Sequence, residues 1–181
     1  MKNIAIHLAT GFEETEAITV IDLLRRAGLN ATTVSITGEK TVIGSHKISV
    51  IADKLYEEIN YEEYDMIVLP GGMPGTTNLD EHLELKKRII EFDLDEKWLG
   101  AICAAPLVLG KIGLLEDKEA ICYPGFENTL LNAKISEKTT VVANNIITSK
   151  GLGTAIEFGL AIIENLISKE KAEEIKKSIM Y

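Results

Sequence analysis

The segments NIAIHLA, DMIVLPGG and WLGAIC constrain this chain most. Each is a continuous apolar run of strand length, without the polar alternation of a sheet that faces water on one side. Strands of this kind must be covered on both faces. Between them lie segments of helical period. In TEAITVIDLLRRAGL the apolar residues fall at Ala17, Val20, Ile21, Leu24 and Ala27, and Gly28 stands where a helix would stop. HLELKKRIIEFD, AAPLVLGKIG, GTAIEFGLAIIENLI and SKEKAEEIKKSIM read as further helices. NATTVSI, EAICY and the two halves of TTVVANNIITSKG read as further strands, and a hairpin is expected around Gly38 and Gly44. Strands alternating with helices predict an α/β fold, a three-layer α/β/α sandwich around a mostly parallel sheet. At 181 residues, without a visible linker or repeat, one domain over 1–181 is expected.

Charge and cysteine content narrow the function. Lys and Arg number 19 against 28 Asp and Glu, a net charge of −9 that repels phosphate backbones. With no local basic patch, nucleic acid is not expected as a partner. No apolar run reaches the ~18 residues of a membrane span, and the N-terminal segment does not read as a signal peptide. Cys103 and Cys122 form no CxxC and no disulfide framework. His7, His46 and His82 are scattered without metal-ligand spacing. A cytoplasmic protein without an obvious metal is expected.

In parallel sheets the loops at the carboxyl ends of strands line the ligand crevice. Three sharp turns fall there: ATGFEETE, LPGGMPG and ICAAP. Cys103 among apolar residues can be inert core, since free cysteine is often buried. Its place on a strand-to-helix turn is also that of a nucleophile in a strained elbow. Ala104 and Ala105 are small enough for the turn, and Pro106 suits a first helical position. A thiol at a helix start would have a lowered pKa. The glycines of PGGMPG can be a plain turn, or can present a backbone N–H to a developing oxyanion. Glu13, Glu14 and Glu16 can simply complement a helix dipole. A carboxyl beside a thiolate would instead be pushed up, keep its proton and donate it to sulfur.

Together these residues resemble the DJ-1/PfpI superfamily, and its DJ-1/ThiJ branch in particular. GFEETEAITVIDLLRRAGL resembles the family's first loop and helix, YDMIVLPGGMPGTTNL its glycine turn, GAICAAPLVL its nucleophile elbow, and TSKGLGTAIEFGLAIIE its late helix. The resemblance implies a flavodoxin-like sandwich, usually a homodimer. It implies Cys103 as the reactive, oxidisable residue, Glu16 as the acid hydrogen-bonded to it, and Gly72 and Ala104 as backbone donors. Members act as cofactor-independent glyoxalases, as protein deglycases, as redox-dependent chaperones and as oxidative-stress sensors. The substrates implied are small reactive carbonyls or glycated molecules. The alternative is a sensor or chaperone in which cysteine oxidation is the signal and nothing turns over.

Two positions depart from the family. Protease-like members carry His directly after the nucleophile, where this chain has Ala104. The DJ-1 type carries His in the segment matching ICYPGF, where this chain has Tyr123. Without a Cys-His dyad a peptidase is not expected. Tyr123 can donate a hydrogen bond, but tyrosine's ordinary pKa near ~10 makes it a poor base at neutral pH; it can equally be an ordinary strand aromatic. If Tyr123 faces the site along a strand, Cys122 faces away from it.

Overall fold

The chain is described by a computed structural model covering residues 1–181. β1 (Asn3–Leu8) leads into α1 (Glu14–Arg26), which returns the chain to β2 (Asn30–Ser35). α1 buries Ala17, Val20, Ile21, Leu23 and Leu24. It ends as the sequence predicts: Gly28 has φ +83° and Leu29 N–H reaches back to the Leu24 carbonyl at 3.0 Å. A hairpin of β3 (Thr41–Ile43) and β4 (Ser49–Ile51) follows, then the short β5 (Lys54–Leu55) and the buried β6 (Met66–Leu69). Two helices, α2 (Gly75–Glu81) and α3 (Leu83–Leu94), lead to β7 (Trp98–Ile102). α4 (Pro106–Lys111), β8 (Glu119–Ala120), β9 (Lys134–Ile135), β10 (Thr140–Ala143), β11 (Ile146–Ser149), α5 (Ala155–Leu166) and α6 (Lys169–Ser178) complete the chain.

The main sheet has seven strands in the order β10-β11-β7-β6-β1-β2-β5. Every pair is parallel except β10 with β11. Residues alternate between two cores, as the pleat requires. Ile4, Ile6, Leu8, Met66 and Val68 pack with α1 and α5, whereas Ala5, Ile67, Leu69, Leu99 and Ala101 pack with Leu79, Leu85, Ile89 and Leu107 of α2, α3 and α4. The expected three layers and mostly parallel sheet are present.

One predicted strand is not formed as expected. In EAICY only Glu119 and Ala120 are strand, and they pair with β9 in a separate ladder. Ile121 donates its N–H to the Thr148 hydroxyl at 3.1 Å, and Tyr123 donates to the Cys103 carbonyl at 2.7 Å. The apolar run reflects a loop pressed against the core, not a pleated strand.

The topology places a crevice. From β1 the chain goes to β2 on one side, while β6 lies on the other, so the strand order switches direction beside β1. In doubly wound sheets ligands bind at such a switch, outside the carboxyl ends of the strands. The loops after β1, β6 and β7 meet there. Glu13 N–H donates to the Gly71 carbonyl at 2.8 Å, and Gly75 N–H to the Gly11 carbonyl at 3.1 Å.

Candidate active site

The three acids at the start of α1 take three different tasks. Glu13 caps the helix, its carboxylate accepting the Glu16 N–H at 2.6 Å. Glu14 is buried and clamps the β3–β4 hairpin. It accepts the His46 N–H at 2.7 Å, the Ile48 N–H at 3.3 Å, and faces His46 Nδ1 at 3.0 Å. Burial opposes its charge, but His46 and these amides outweigh it and hold the Glu14 carboxyl down at about 2. Glu13, Glu14 and His46 gather ligand atoms within 4.8 Å of one another, which the scattered histidines did not suggest from sequence. Glu14's oxygens are already committed to the hairpin.

Glu16 turns to the sheet instead. It is 1% exposed, and its Oε2 accepts the Gly71 N–H at 3.0 Å. The Leu152 N–H and the Cys103 thiol complete its partners. Cys103 sits on the turn between β7 and α4 with φ +65°, a left-handed conformation that costs a non-glycine residue about 1–3 kcal/mol. The turn is held from both sides. Cys103 N–H donates to the Ser149 carbonyl at 2.9 Å, and its carbonyl accepts from Tyr123. The Gly72 and Ala104 N–H groups point at its sulfur. The site therefore brings together Cys103, Glu16, Gly72 and Ala104, all four expected from sequence.

Burial dominates the electrostatics. It pushes Glu16 up to about 7, with Cys103 and the amides pulling down and Glu13 pushing up. The lowered thiol expected at a helix start is overturned. Burial first, then the Glu16 carboxylate, push Cys103 up to about 12, against the Gly72 and Ala104 amides. α4 has only six residues, so its dipole is a short one. The two groups titrate as a pair, and a single negative charge is shared between them once the first proton leaves. When Glu16 keeps that proton, its repulsion of a thiolate vanishes and it becomes a donor to sulfur.

Sequence reasoning missed Gly71. A Cβ there would overlap the Cys103 Cβ and stand 2.7 Å from Glu16 Oε2 and 2.9 Å from the Ile102 carbonyl. Only glycine lets the carboxyl and the thiol meet across this backbone. The doubled glycine after a buried strand was the available signal. Gly72 has φ +89°, and a Cβ there would strike the Phe12–Glu13 backbone.

Tyr123 lies on a loop, half exposed, with its ring beside Gly151. Cys122 is 1% exposed and packs in the core on the α3 side, while Cys103 packs against the α1 side. The expected opposition of the two cysteines holds, though a loop and not a strand produces it. Burial, then Glu127, push Cys122 up to about 11. No helix is long and apolar enough to cross a membrane.

Known proteins resemble this chain in sequence and fold. The DJ-1/PfpI family matches residues 2–165. DJ-1 homolog B of Arabidopsis thaliana is 40% identical over 176 residues, covering 96% of this chain; the chain spans only 40% of that relative's length. A Schizosaccharomyces pombe protein named glutathione-independent glyoxalase DJ-1 is 29% identical over 189 residues, covering 99% of this chain and 98% of its own. The structure of oxidized DJ-1 from Toxoplasma gondii superposes with a TM-score of 0.96 at 36% identity, covering 100% of this chain and 99% of its own. With its elbow cysteine, glycine turn and flavodoxin-like sheet, the chain belongs to the DJ-1/PfpI family.

Proposed function

We propose that this chain converts α-oxoaldehydes to 2-hydroxy acids without a cofactor, with Cys103 as nucleophile and Glu16 as general acid/base. The observation that carries the reading is the Glu16–Cys103 hydrogen bond, with the Gly72 and Ala104 N–H groups on the same sulfur. Sulfur attacks the aldehyde carbon, forming a C–S bond while the carbonyl electron pair moves to oxygen. The two N–H groups, released by the spent sulfur, are placed for that alkoxide. Protonation gives a hemithioacetal. Glu16 then takes the proton from the former aldehyde carbon, and a proton is returned to the neighbouring ketone carbon. The first carbon is oxidised to a thioester and the second reduced to an alcohol, so no external oxidant is needed. Water cleaves the thioester, releasing the hydroxy acid and the thiol. The Schizosaccharomyces pombe relative's name supports carbonyl chemistry of this kind. Early hemiaminal or hemithioacetal adducts of the same aldehydes would enter once they release the amine or thiol, which restores the carbonyl that sulfur attacks.

Purified protein incubated with methylglyoxal should form lactate with no added glutathione or metal. Cys103→Ser should abolish this. Glu16→Gln, which keeps a donor but cannot move a proton, should lower kcat by about 10²–10⁴-fold. No lactate from the wild type would overturn the reading.

A second reading, oxidation of Cys103 as a signal, is favoured by the placement of Cys122 in the opposite core. A sulfenate formed by peroxide, with water as the other product, would have no thiol within the chain to capture it and would be oxidised again to sulfinate. Peptide mass spectrometry under graded peroxide should find a two-oxygen adduct on Cys103. A Cys103–Cys122 disulfide would count against it.

A further inference from the structure

Three large apolar side chains stay exposed around the reactive pair: Met73 at 47%, Tyr123 at 50% and Leu152 at 52%. Their backbones are tied to it. Met73 follows Gly72, whose N–H faces the sulfur. Tyr123 donates its N–H to the Cys103 carbonyl. Leu152 donates its N–H to the Glu16 carboxyl. Such anchoring fixes where each side chain emerges. The Tyr123 ring is further located by Gly151. A methyl group on that residue would touch Tyr123 Cδ2 at 3.4 Å and Glu16 Oε1 at 3.9 Å, so ring and carboxyl flank the same point.

This arrangement bears on which aldehyde is taken, and here the argument rests on the α-oxoaldehyde reading above. Glu16 must reach both the aldehyde carbon and its neighbour if it is to move the proton between them. The neighbouring carbon carries the substituent that distinguishes one α-oxoaldehyde from another. With the aldehyde carbon on sulfur and the second carbon against Glu16, that substituent emerges on the side of the Tyr123 ring. Tyr123, Leu152 and Met73 offer it hydrocarbon and an aromatic face, and none of the three offers a cation for a carboxylate. Glu13, close enough for its charge to push Glu16 up, further disfavours an anionic substituent.

We infer that Tyr123, Leu152 and Met73 form a recognition rim for the non-reacting end of the substrate, and that the site prefers α-oxoaldehydes bearing an aromatic or bulky apolar group over small, sugar-derived or carboxylate-bearing ones. Aromatic contact and burial of the added ring supply the preference. Tyr123 acts here through its ring, not its hydroxyl.

The test compares phenylglyoxal with methylglyoxal, read as the ratio of their kcat/KM values. The wild type should favour phenylglyoxal. Tyr123→Ala should lower the ratio about tenfold, mainly through the KM for phenylglyoxal, and Leu152→Ser should lower it less. Tyr123→Phe should keep the ratio. A parallel arm needs no turnover: the rate of Cys103 alkylation by N-benzyl iodoacetamide relative to iodoacetamide should fall in Tyr123→Ala by a similar factor. An unchanged alkylation ratio in Tyr123→Ala overturns the rim, as does a fall of the aldehyde ratio in Tyr123→Phe as large as that in Tyr123→Ala. If neither aldehyde is turned over by the wild type while the alkylation ratio still depends on Tyr123, the reaction is wrong and the rim stands.

Discussion

Gly71 is the residue on which the chemistry of Cys103 and Glu16 turns. It gives its N–H to one carboxyl oxygen, its carbonyl to Glu13 N–H, and the space of its missing side chain to the contact between them. Gly71→Ala should separate the pair by forcing a methyl between backbone and buried groups that cannot yield freely. The expected cost is about 1–3 kcal/mol of stability, typical of overpacking. The test is urea unfolding together with the pH profile of Cys103 alkylation. In the variant that profile should lose its dependence on Glu16, so that adding Glu16→Gln changes nothing further. A Gly71→Ala protein with wild-type stability and profile would show that the glycine is incidental. The elbow made Cys103 legible as a local pattern, whereas the helix start left Glu13, Glu14 and Glu16 equivalent and only the family resemblance singled out Glu16. Gly71 was not legible, because its importance lies in a three-way approach of segments far apart in the chain. The direction of the Cys103 shift was missed for the same reason: the burial that raises it is tertiary.

At the scale of elements, α1 and the β3–β4 hairpin form one unit because Glu14 accepts hydrogen bonds from the hairpin tip. Gly44 is part of that clamp, since a side chain there would overlap the Glu14 carboxyl. The outer surface of this unit leaves Ile18, Ile43, Ile48 and Ile51 exposed. Exposed apolar side chains concentrated on neighbouring elements mark a contact surface. We propose that two copies of the chain pair through it as a homodimer. Sedimentation at micromolar concentration should give the dimer mass for the wild type, and Ile18→Glu combined with Ile51→Lys should give the monomer. A monomeric wild type would overturn the proposal. The helical period of α1, its Gly28 stop and the core strands were readable because one-dimensional periodicity reports burial directly. EAICY misled for the converse reason: Ile121 and Cys122 are buried, but strand pairing stops at Ala120 and the Ile121 N–H bonds to the Thr148 hydroxyl.

Across the whole molecule, two buried groups set opposing pH dependences. Burial holds Glu16 up at about 7 against an ordinary 4.5, so the stability linked to it is complete below 4.5 and lost as pH rises through 7. The shift corresponds to roughly 3 kcal/mol. His7 is fully buried on β1 with Nε2 at 2.7 Å from the Tyr61 hydroxyl. Burial, then His82, pull its pKa down from 6.5 to about 3. Its contribution is complete above 6.5 and lost as pH falls through 3. Together they favour an optimum in the mildly acidic range. Chemical unfolding measured against pH should show Glu16→Gln gaining on the wild type as pH rises from 4.5 through 7 and losing that advantage below 4.5. His7→Leu should flatten the decline between 6.5 and 3. Parallel slopes for all three proteins would show that neither group carries the dependence.

The turn at Cys103 is assembled from pieces widely separated along the chain: Glu16 from the first helix, Gly71 and Gly72 after β6, the Tyr123 N–H, the Ser149 carbonyl and the Leu152 N–H. During synthesis from the N-terminus, Cys103 therefore leaves the ribosome as an ordinary thiol. It acquires its special environment only after residue 152 has followed. Until then nothing distinguishes Cys103 from Cys122, and the appearance of a difference in reactivity between the two thiols becomes a chemical clock for completion of the fold.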